Sequence, residues 1–318
     1  MDRNLALEIV RATEAAALAA ARWMGRGNAE SADEAAAGAM HRAFNSISFN
    51  GHIVLGDGDK DRAQLLHAGE TVGSGSDDTI DIAVDPLECT NSVAFGRTNA
   101  MAAVAMAPTG DFLEPPVTYM DKLAVGAEAA SVINIAEPIE ENLERIAEAK
   151  NYSVGDLTVV ALDRERHAEL IDRVRKTGAR IHLIPDGDVA AAVAAALPGT
   201  GIDVLVGIGG SVAGILAAAA LRCIGGEIQG RFTPLEEGDL DRLKQYGHSS
   251  PNRIFRAVDM VRGNKAMFAA TGVTDGDMLN GVRYRSDGAT THSVVMRLPS
   301  RTRRFIVTEH YFTDNPDY

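Results

Sequence analysis

The sequence predicts an α/β protein with an α+β N-terminal part, and three observations lead to this prediction. The chain has 318 residues, of which 46% are hydrophobic and 24% charged, as in ordinary globular proteins. Its first part is rich in alanine and has apolar residues at helical spacing. After about residue 150, short apolar runs alternate with helical segments, which is typical of a mostly parallel sheet with helices on its faces.

Two helices and four strands are expected in the first half of the chain. The apolar residues of segment 4–23 recur at helical spacing, as at Leu5 and Ile9, so this segment is predicted to be the first helix. Ser31 and Glu34 have capping-box spacing, which predicts that Ser31 begins a second helix. The strands expected after these helices are residues 52–55, 80–84, 101–107 and 122–125.

The second half has the regular alternation of strand and helix. The strands expected there are residues 157–162, 181–184 and 202–208, each followed by a helix. The loops at Asp186 and Gly209 follow two of these strands, and ligands of α/β sheets sit beyond the carboxyl ends of the strands. Segment 233–252 is polar and rich in Pro and Gly, so we expect a loop or a short helix.

The residue pattern changes near residue 150, where apolar runs begin to alternate with helical segments, and this change suggests two domains. We expect an N-terminal α+β domain over residues 1–150 and a C-terminal α/β domain over residues 151–318. The tail, residues 289–312, has the pattern strand–turn–strand with a basic turn, and these strands can return to the first domain.

The charge balance is acidic, with 31 Lys and Arg against 44 Asp and Glu and a net charge of -13. Such a field repels nucleic acid and anionic membranes, so neither is an expected partner. Two cysteines, Cys89 and Cys223, are too few for a disulfide framework. No signal-peptide core or membrane-length apolar run is visible, and a cytoplasmic enzyme is predicted.

Acidic residues cluster where two predicted strands end. Asp57, Asp59 and Asp61 follow the strand that ends at Leu55, and Asp85 and Glu88 follow the next strand. Carboxylates brought together repel each other unless cations neutralise them, and Mg²⁺ and Mn²⁺ prefer oxygen ligands. Two such ions about 4 Å apart can clamp the attacking and leaving oxygens of a phosphoryl transfer.

These acidic residues have two other interpretations. A single Asp at a strand end is more often a turn former or a helix cap than a metal ligand. The spacing of Asp57, Asp59 and Asp61 also suggests a calcium loop, but a strand precedes it and the later glutamate of such loops is missing. The presence of both acidic groups in one chain favours a phosphatase.

The sequence also resembles a known family over nearly its whole length. The segments that carry this resemblance are residues 5–8, 23–27, 32–33, 53–58, 81–86, 118–122, 184–188, 203–210 and 270–273. Together they resemble class II (GlpX-type) fructose-1,6-bisphosphatase, of the lithium-sensitive, metal-dependent sugar phosphatase superfamily. The resemblance implies a layered α-β-α-β-α architecture, with helices packed on two sheets and with the metal site in the N-terminal domain.

The resemblance implies an activity and a set of site residues. The activity is hydrolysis of the 1-phosphate of fructose 1,6-bisphosphate by a metal-activated water, in gluconeogenesis, by a homo-oligomer (dimer or tetramer). The implied metal ligands, for Mg²⁺ or Mn²⁺, are Asp33, Asp57, Asp85 and Glu88. The implied catalytic pair that activates water is Asp61 and Thr90. The implied substrate contacts are Glu88, Cys89, Thr90, Tyr119, Arg164, Arg166, Asp186, Gly187, Asp188 and Gly210.

Three departures from the family pattern leave the substrate open. The family has a glutamate at the position of Asp57, a glycine at the position of Cys89 and a metal-ligating glutamate at the position of Ala213. An alternative is therefore a related phosphatase acting on another sugar phosphate or a phosphorylated nucleoside. A further alternative is a catalytically weak homologue that binds sugar phosphates. Cys89 is expected to be a small packing residue rather than a nucleophile.

Overall fold

Helices and two mixed β-sheets form the described part of this computed structural model, which covers residues 4–56, 65–75, 79–115, 118–248, 250 and 252–312. The helices are α1 (Leu5–Ala21), α2 (Ala29–Ser46), α3 (Thr90–Ala94), α4 (Ile139–Lys150), α5 (Ala168–Lys176), α6 (Asp188–Ala195), α7 (Ser211–Ile224), α8 (Asp239–Gln245) and α9 (Ala257–Met260). Short 3₁₀ turns lie at Ala127–Ala129, Val154–Asp156 and Glu165–His167.

The strands follow the predicted positions closely and add several short ones. They are β1 (Asn50–Leu55), β2 (Thr71–Val72), β3 (Thr79–Glu88), β4 (Met101–Pro108), β5 (Tyr119–Val125), β6 (Thr158–Leu162), β7 (Arg180–Ile184), β8 (Val204–Gly210), β9 (Glu227–Phe232), β10 (Phe255–Arg256), β11 (Met267–Gly272), β12 (Arg283–Arg285), β13 (Gly288–Arg297) and β14 (Thr302–Tyr311). The predicted α/β class, with helices and two sheets, is confirmed, and both sheets contain parallel and antiparallel pairs.

The chain divides into two compact units. One unit contains Met1–Phe112 and Gly263–Tyr318, and the other contains Leu113–Arg262. The change of residue pattern near residue 150 falls inside the second unit. The unit begins earlier because β5 pairs with β8 and β9 and so belongs to the same sheet as the later strands. The tail strands join the sheet of the first unit, where β11 pairs with β4 and β13 pairs with β11.

The first unit contains the sheet β12-β13-β11-β4-β3-β1-β2, with β14 paired to β13. Only β1 and β3 are parallel among its described pairs. Helix α1 packs on β11, β13 and β4, and α2 packs on α1 and β3. Alanines on these helices let them approach the sheet closely, and larger side chains such as Met40, Phe44 and Ile82 fill the core between them.

The second unit contains the sheet β10-β9-β5-β8-β6-β7. The three strands of the predicted alternation, β6, β7 and β8, are parallel, as expected. The prediction of a mostly parallel sheet is wrong for the whole sheet, because β5, β9 and β10 pair antiparallel. Helices α6 and α7 pack on β5 and β8, while α4 contributes Leu143 and Ile146 to a core with Leu123 and Val159.

Two local predictions need correction. Helix α2 begins at Ala29 rather than Ser31, because the side chain of Asn28 accepts a hydrogen bond from the Ser31 backbone N–H at 3.0 Å and so caps the helix. The sequence pattern predicts a helix over residues 166–176 after β6, but this helix begins at Ala168, since residues 165–167 form a 3₁₀ turn. None of the helices in the described ranges combines the length and the apolar character that a membrane span requires.

Candidate active site

In the first unit, strand β3 carries two of the predicted metal ligands. Asp85 pairs with Ala103 of β4 and Glu88 pairs with Met101, so three steps along β3 match two steps along β4. This β-bulge inserts one extra residue into β3. Because paired residues share a face of the sheet, and Ala103 and Met101 share a face, the bulge turns Glu88 onto the face of Asp85. Asp85 is half-buried and Glu88 is 5% exposed.

The two residues after Glu88 form the entry to α3. Cys89 has φ 71° and ψ 49°, in the left-handed region, and its carbonyl accepts a hydrogen bond from Ser92 N–H at 2.8 Å. A side chain in this conformation costs about 1–2 kcal/mol, which explains why glycine suits the position. The Cys89 side chain is buried and packs in the hydrophobic core, and the half-buried Thr90 is the first residue of α3.

Asp33 lies in the first half of α2 and is half-buried. Helix α2 packs on both β3 and α3. The segment before α2 is also tied to α3, because Gly25 N–H donates to Val93 O and Gly27 N–H donates to Ala94 O, each at 2.9 Å. The tertiary structure therefore groups the helix that carries Asp33 with the two elements that carry the other described acidic and hydroxyl residues.

The remaining predicted acidic residues, Asp57 and Asp61, lie outside the described residues. Strand β1, which precedes them, runs parallel to β3 and pairs Leu55 with Ala83, so both strands end at the same edge of the sheet. Within the described ranges, no three His, Cys, Asp or Glu side chains form a group that could hold a metal ion. The carboxylates of Asp85 and Glu88 are oxygen donors on one face, and this donor type suits Mg²⁺ or Mn²⁺.

In the second unit, the predicted substrate contacts lie at one edge of the sheet. Strands β6, β7 and β8 are parallel, so their carboxyl ends meet there, and antiparallel β5 begins at the same edge. Arg164 and Arg166 follow β6, Asp186 and Gly187 follow β7, Asp188 begins α6, and Gly210 ends β8 opposite Tyr119. These residues are separated by up to 91 positions in the sequence, from Tyr119 to Gly210, and the sheet topology brings them to one edge.

Ile208 of β8 pairs with Asp121 of β5, and its backbone groups also form hydrogen bonds with the side chains of Arg166 and His167. The Arg166 guanidinium donates to the Ile208 carbonyl from Nη2 at 2.8 Å, and the Ile208 N–H donates to His167 Nε2 at 2.8 Å. The other ring nitrogen of His167, Nδ1, then carries the proton and donates to Leu162 O at 2.9 Å. Burial lowers the pKa of His167 below its usual value, which keeps the ring neutral. The Arg166 guanidinium also lies 5.3 Å from the centroid of the Tyr119 ring.

Asp186 and Gly187 form the turn between β7 and α6. Burial raises the pKa of Asp186 above its usual value, and the neighbouring carboxylate of Asp188 adds to the increase. The Gly187 N–H donates to Asp186 Oδ1 at 3.1 Å and opposes this shift. Gly187 has φ 96°, a conformation that favours glycine, so the turn that presents Asp186 depends on the missing side chain.

Lys122 is a residue at this edge to which the sequence analysis assigned no role. Its side chain is buried, forms an ion pair with Asp188 and donates a hydrogen bond to Gly210 O at 2.9 Å. Lys122 is the first residue of the predicted strand 122–125 and is followed by Leu123, Ala124 and Val125, which was a signal for such a role, because a buried lysine requires a partner. Its partners could not be identified from the sequence, since they lie 66 and 88 residues further along the chain.

Comparison with known proteins gives one consistent result. The family model described as bacterial fructose-1,6-bisphosphatase, glpX-encoded, matches residues 3–310. A protein of Synechococcus sp. (strain JA-3-3Ab), named D-fructose 1,6-bisphosphatase class 2/sedoheptulose 1,7-bisphosphatase, is 42% identical over 334 residues, covering 98% of this chain and 96% of its own. A protein of Trichodesmium erythraeum (strain IMS101) with the same name is 40% identical over 336 residues, covering 98% and 97%. The chain therefore belongs to the glpX-encoded family of bacterial fructose-1,6-bisphosphatases.

Proposed function

We propose that this protein is a metal-dependent phosphomonoesterase that hydrolyses the 1-phosphate of fructose 1,6-bisphosphate, giving fructose 6-phosphate and phosphate. The observation that carries this proposal is the placement of the Asp85 and Glu88 carboxylates on one face of β3 in a chain of this family. The printed names of the relatives also support sedoheptulose 1,7-bisphosphate as a second substrate.

The proposed metal ligands are Asp33, Asp57, Asp85 and Glu88, holding Mg²⁺ or Mn²⁺. When bound, these ions polarise the phosphoryl oxygens and increase the acidity of the attacking water. In this arrangement the Thr90 hydroxyl orients the water, and the Asp61 carboxylate accepts its proton. Glu88, Cys89 and Thr90 also contact the phosphoryl group, where the left-handed conformation of Cys89 turns the chain into α3.

The proposed substrate contacts of the second unit divide by chemistry. Arg164 and Arg166 are both exposed, and their planar guanidinium groups match the oxygens of a second phosphate. Asp186 and Asp188 accept hydrogen bonds from sugar hydroxyls, and Tyr119 packs against the sugar. Gly187 and Gly210 contribute backbone close to the substrate. The location of all these residues at one sheet edge supports this assignment.

A phosphate-release assay tests the proposal directly. The purified protein is incubated with fructose 1,6-bisphosphate, sedoheptulose 1,7-bisphosphate and their monophosphates, with Mg²⁺ or Mn²⁺. We expect release from the bisphosphates, none with a chelator in excess, and inhibition by lithium. Full turnover in the presence of the chelator would exclude a metal-dependent mechanism.

The departures from the family pattern support a second candidate function. Ala213, in the first turn of α7, has no carboxylate to offer a metal ion. The alternatives are a phosphatase for another sugar phosphate or a phosphorylated nucleoside, or a homologue that binds sugar phosphates without hydrolysing them. Calorimetric titration showing tight binding of fructose 6-phosphate, with no phosphate release under either metal, would favour the binding protein.

We also propose that the protein is a homo-oligomer in which β14 pairs with β14 of a second copy. Among the described strands, β14 pairs only with β13, and its side chains Phe305 and Val307 are 47% and 68% exposed. An antiparallel pairing centred on Ile306 sets Phe305 against Val307 and Arg303 against Glu309 of the other copy. Apolar and opposite-charge pairs of this kind stabilise neighbouring strands. The cytoplasmic location and the exclusion of nucleic acid and membranes stay predictions.

A further inference from the structure

We propose that Lys122 is a positioning residue for the sugar end of the substrate, acting through Asp188 and through Gly209 and Gly210, the last two residues of β8. This inference rests on the proposed function. It assigns Lys122 to the binding of the sugar hydroxyls and not to the phosphoryl chemistry.

Lys122 lies between the sheet and the helices that cover it. Its side chain is 1% exposed, and it alternates along β5 with Tyr119 and Asp121, which face the other side of the sheet. A Cβ atom built on Gly214 of α7 would lie 3.4 Å from Lys122 Cδ, so the lysine stem packs against this helix. An ammonium group in such surroundings is stable only when its charge is paired.

The ammonium group joins two elements that present substrate contacts. It forms an ion pair with the carboxylate of Asp188, the first residue of α6, and donates to the carbonyl of Gly210, directly before α7. Asp188 is itself buried, so its carboxylate orientation depends on this cation. Lys122 therefore holds the starts of both helices in one arrangement.

The end of β8 at Gly209 packs tightly against this ion pair. A Cβ atom at this position would lie 2.1 Å from Asp188 Oδ2 and 2.8 Å from Lys122 Nζ. The backbone at the end of β8 thus packs directly on both charged groups. Any movement of the ion pair displaces Gly210 as well as Asp188, and both are predicted substrate contacts.

The protein supplies a matched control in Lys150. Its Nζ lies 3.0 Å from Asp203 Oδ1, and Asp203 Oδ2 accepts a hydrogen bond from Thr158 N–H at 2.8 Å. This second Lys–Asp pair lies at the amino ends of β6 and β8, the opposite edge of the same sheet. Lys150→Met and Lys122→Met each remove a largely buried ammonium group from an aspartate, but only Lys122 lies beside the predicted substrate contacts.

The experiment compares kcat and KM for fructose 1,6-bisphosphate in the wild-type protein, Lys122→Met and Lys150→Met, with Tm measured for each. We expect both variants to lower Tm, and only Lys122→Met to raise KM, by about tenfold or more, with a smaller change in kcat. An unchanged KM for Lys122→Met, or an equal increase for Lys150→Met, would overturn the proposal.

Two further measurements keep the test decisive. If Lys122→Met does not fold, Gly209→Ala replaces it, because its added Cβ displaces Asp188 and is expected to raise KM in the same way. If the wild-type protein releases no phosphate, the proposed function fails, and calorimetric binding of fructose 6-phosphate then tests Lys122. Weaker binding by Lys122→Met by about tenfold supports its role, while equal binding, or no binding even by the wild-type protein, overturns it.

Discussion

Asp85 and Glu88 share one face of β3 although they are three residues apart, because a β-bulge between them changes the register against β4. In a regular strand, residues three apart point to opposite faces. The bulge therefore places two carboxylates on one face near the end of β3, at the edge of the sheet where β1 also ends. Bulges often redirect a side chain next to an active site, and this one places two of the four predicted metal ligands on the same face.

We expect Mn²⁺ to raise the Tm of the wild-type protein and to have no effect on the double variant Asp85→Asn, Glu88→Gln. A metal that binds only the folded state stabilises it by about 2.7 kcal/mol at 100 times its Kd. The measurement is differential scanning fluorimetry with increasing Mn²⁺. Asp287→Asn is the control, because Asp287 is an exposed carboxylate of the same unit that pairs with Arg285. A full Mn²⁺ shift in the double variant would contradict the site.

We expect Asp85→Asn alone to lower phosphate release by at least about 100-fold, because a lost metal ligand removes several kcal/mol of transition-state stabilisation. The fold should survive, since Asp85 is half-buried at the end of β3. Activity and circular dichroism are measured on the same preparation. A folded variant with wild-type turnover would show that Asp85 is not a ligand.

We expect the Cys89→Gly variant to have a free energy of unfolding about 1 kcal/mol higher than that of the Cys89→Ala variant. Both replacements lose the thiol, but only alanine retains the cost of a side chain at φ 71°. Position 223, inside α7, is the control. There the Cys223→Ala variant is expected to be more stable than the Cys223→Gly variant by about 1 kcal/mol, since glycine is a poor helix former. Urea unfolding of the four variants measures both differences in stability. An alanine variant that is more stable than the glycine variant at both positions would contradict the prediction.

Acid is expected to destabilise the second unit through His167. Burial lowers the pKa of His167 from the ordinary value of 6.5, so the unfolded chain binds more protons than the folded chain as the pH falls through that region. The contribution of the neutral ring to the stability of the fold is therefore fully present above pH 6.5 and is lost as the pH falls below this value. Protonation also removes the acceptor for Ile208 N–H.

The test measures Tm at about pH 7.5 and about pH 5.5, which lie about one unit above and one unit below the ordinary histidine pKa. His167→Gln keeps an acceptor but does not titrate, so its Tm should fall less than that of the wild-type protein. His292→Gln is a control in the first unit, where a partly buried histidine has its pKa lowered by burial. A wild-type fall in Tm that His167→Gln reproduces in full would contradict the role of this ring.

If β14 pairs with β14 of a second copy, Val307→Lys should shift the protein to a smaller species in sedimentation velocity. Arg303→Glu and Glu309→Arg each place like charges opposite each other and should weaken association, and the double variant should restore it. Val258→Lys is the control, since Val258 is an exposed apolar residue of the second unit. A wild-type monomer, or an oligomer unaffected by Val307→Lys, would exclude this interface.

Much of the candidate site was predictable because its residue types are visible in local patterns. The acidic residues after Leu55 and after Val84 follow from the local pattern, and the pair Arg164 and Arg166 after a strand is implied by the resemblance to the family. The edge that collects Arg166, Asp186 and Gly210 followed from the expectation of parallel strands, which holds for β6, β7 and β8. Lys122 was missed as a site residue because its role depends on partners distant in the sequence.

The sequence by itself determined the helices, most strand positions, the acidic and basic residues of the candidate site and the resemblance to the family. The helices and strands depend on backbone propensity and on the spacing of side chains within one segment. The basic residues of the candidate site are implied by the resemblance to the family. Only the tertiary structure decided the direction of β5 and β9, the bulge that joins Asp85 to Glu88, and the pairing of Lys122 with Asp188. These features depend on strand register and on contacts between distant segments, and no local pattern of residues specifies them.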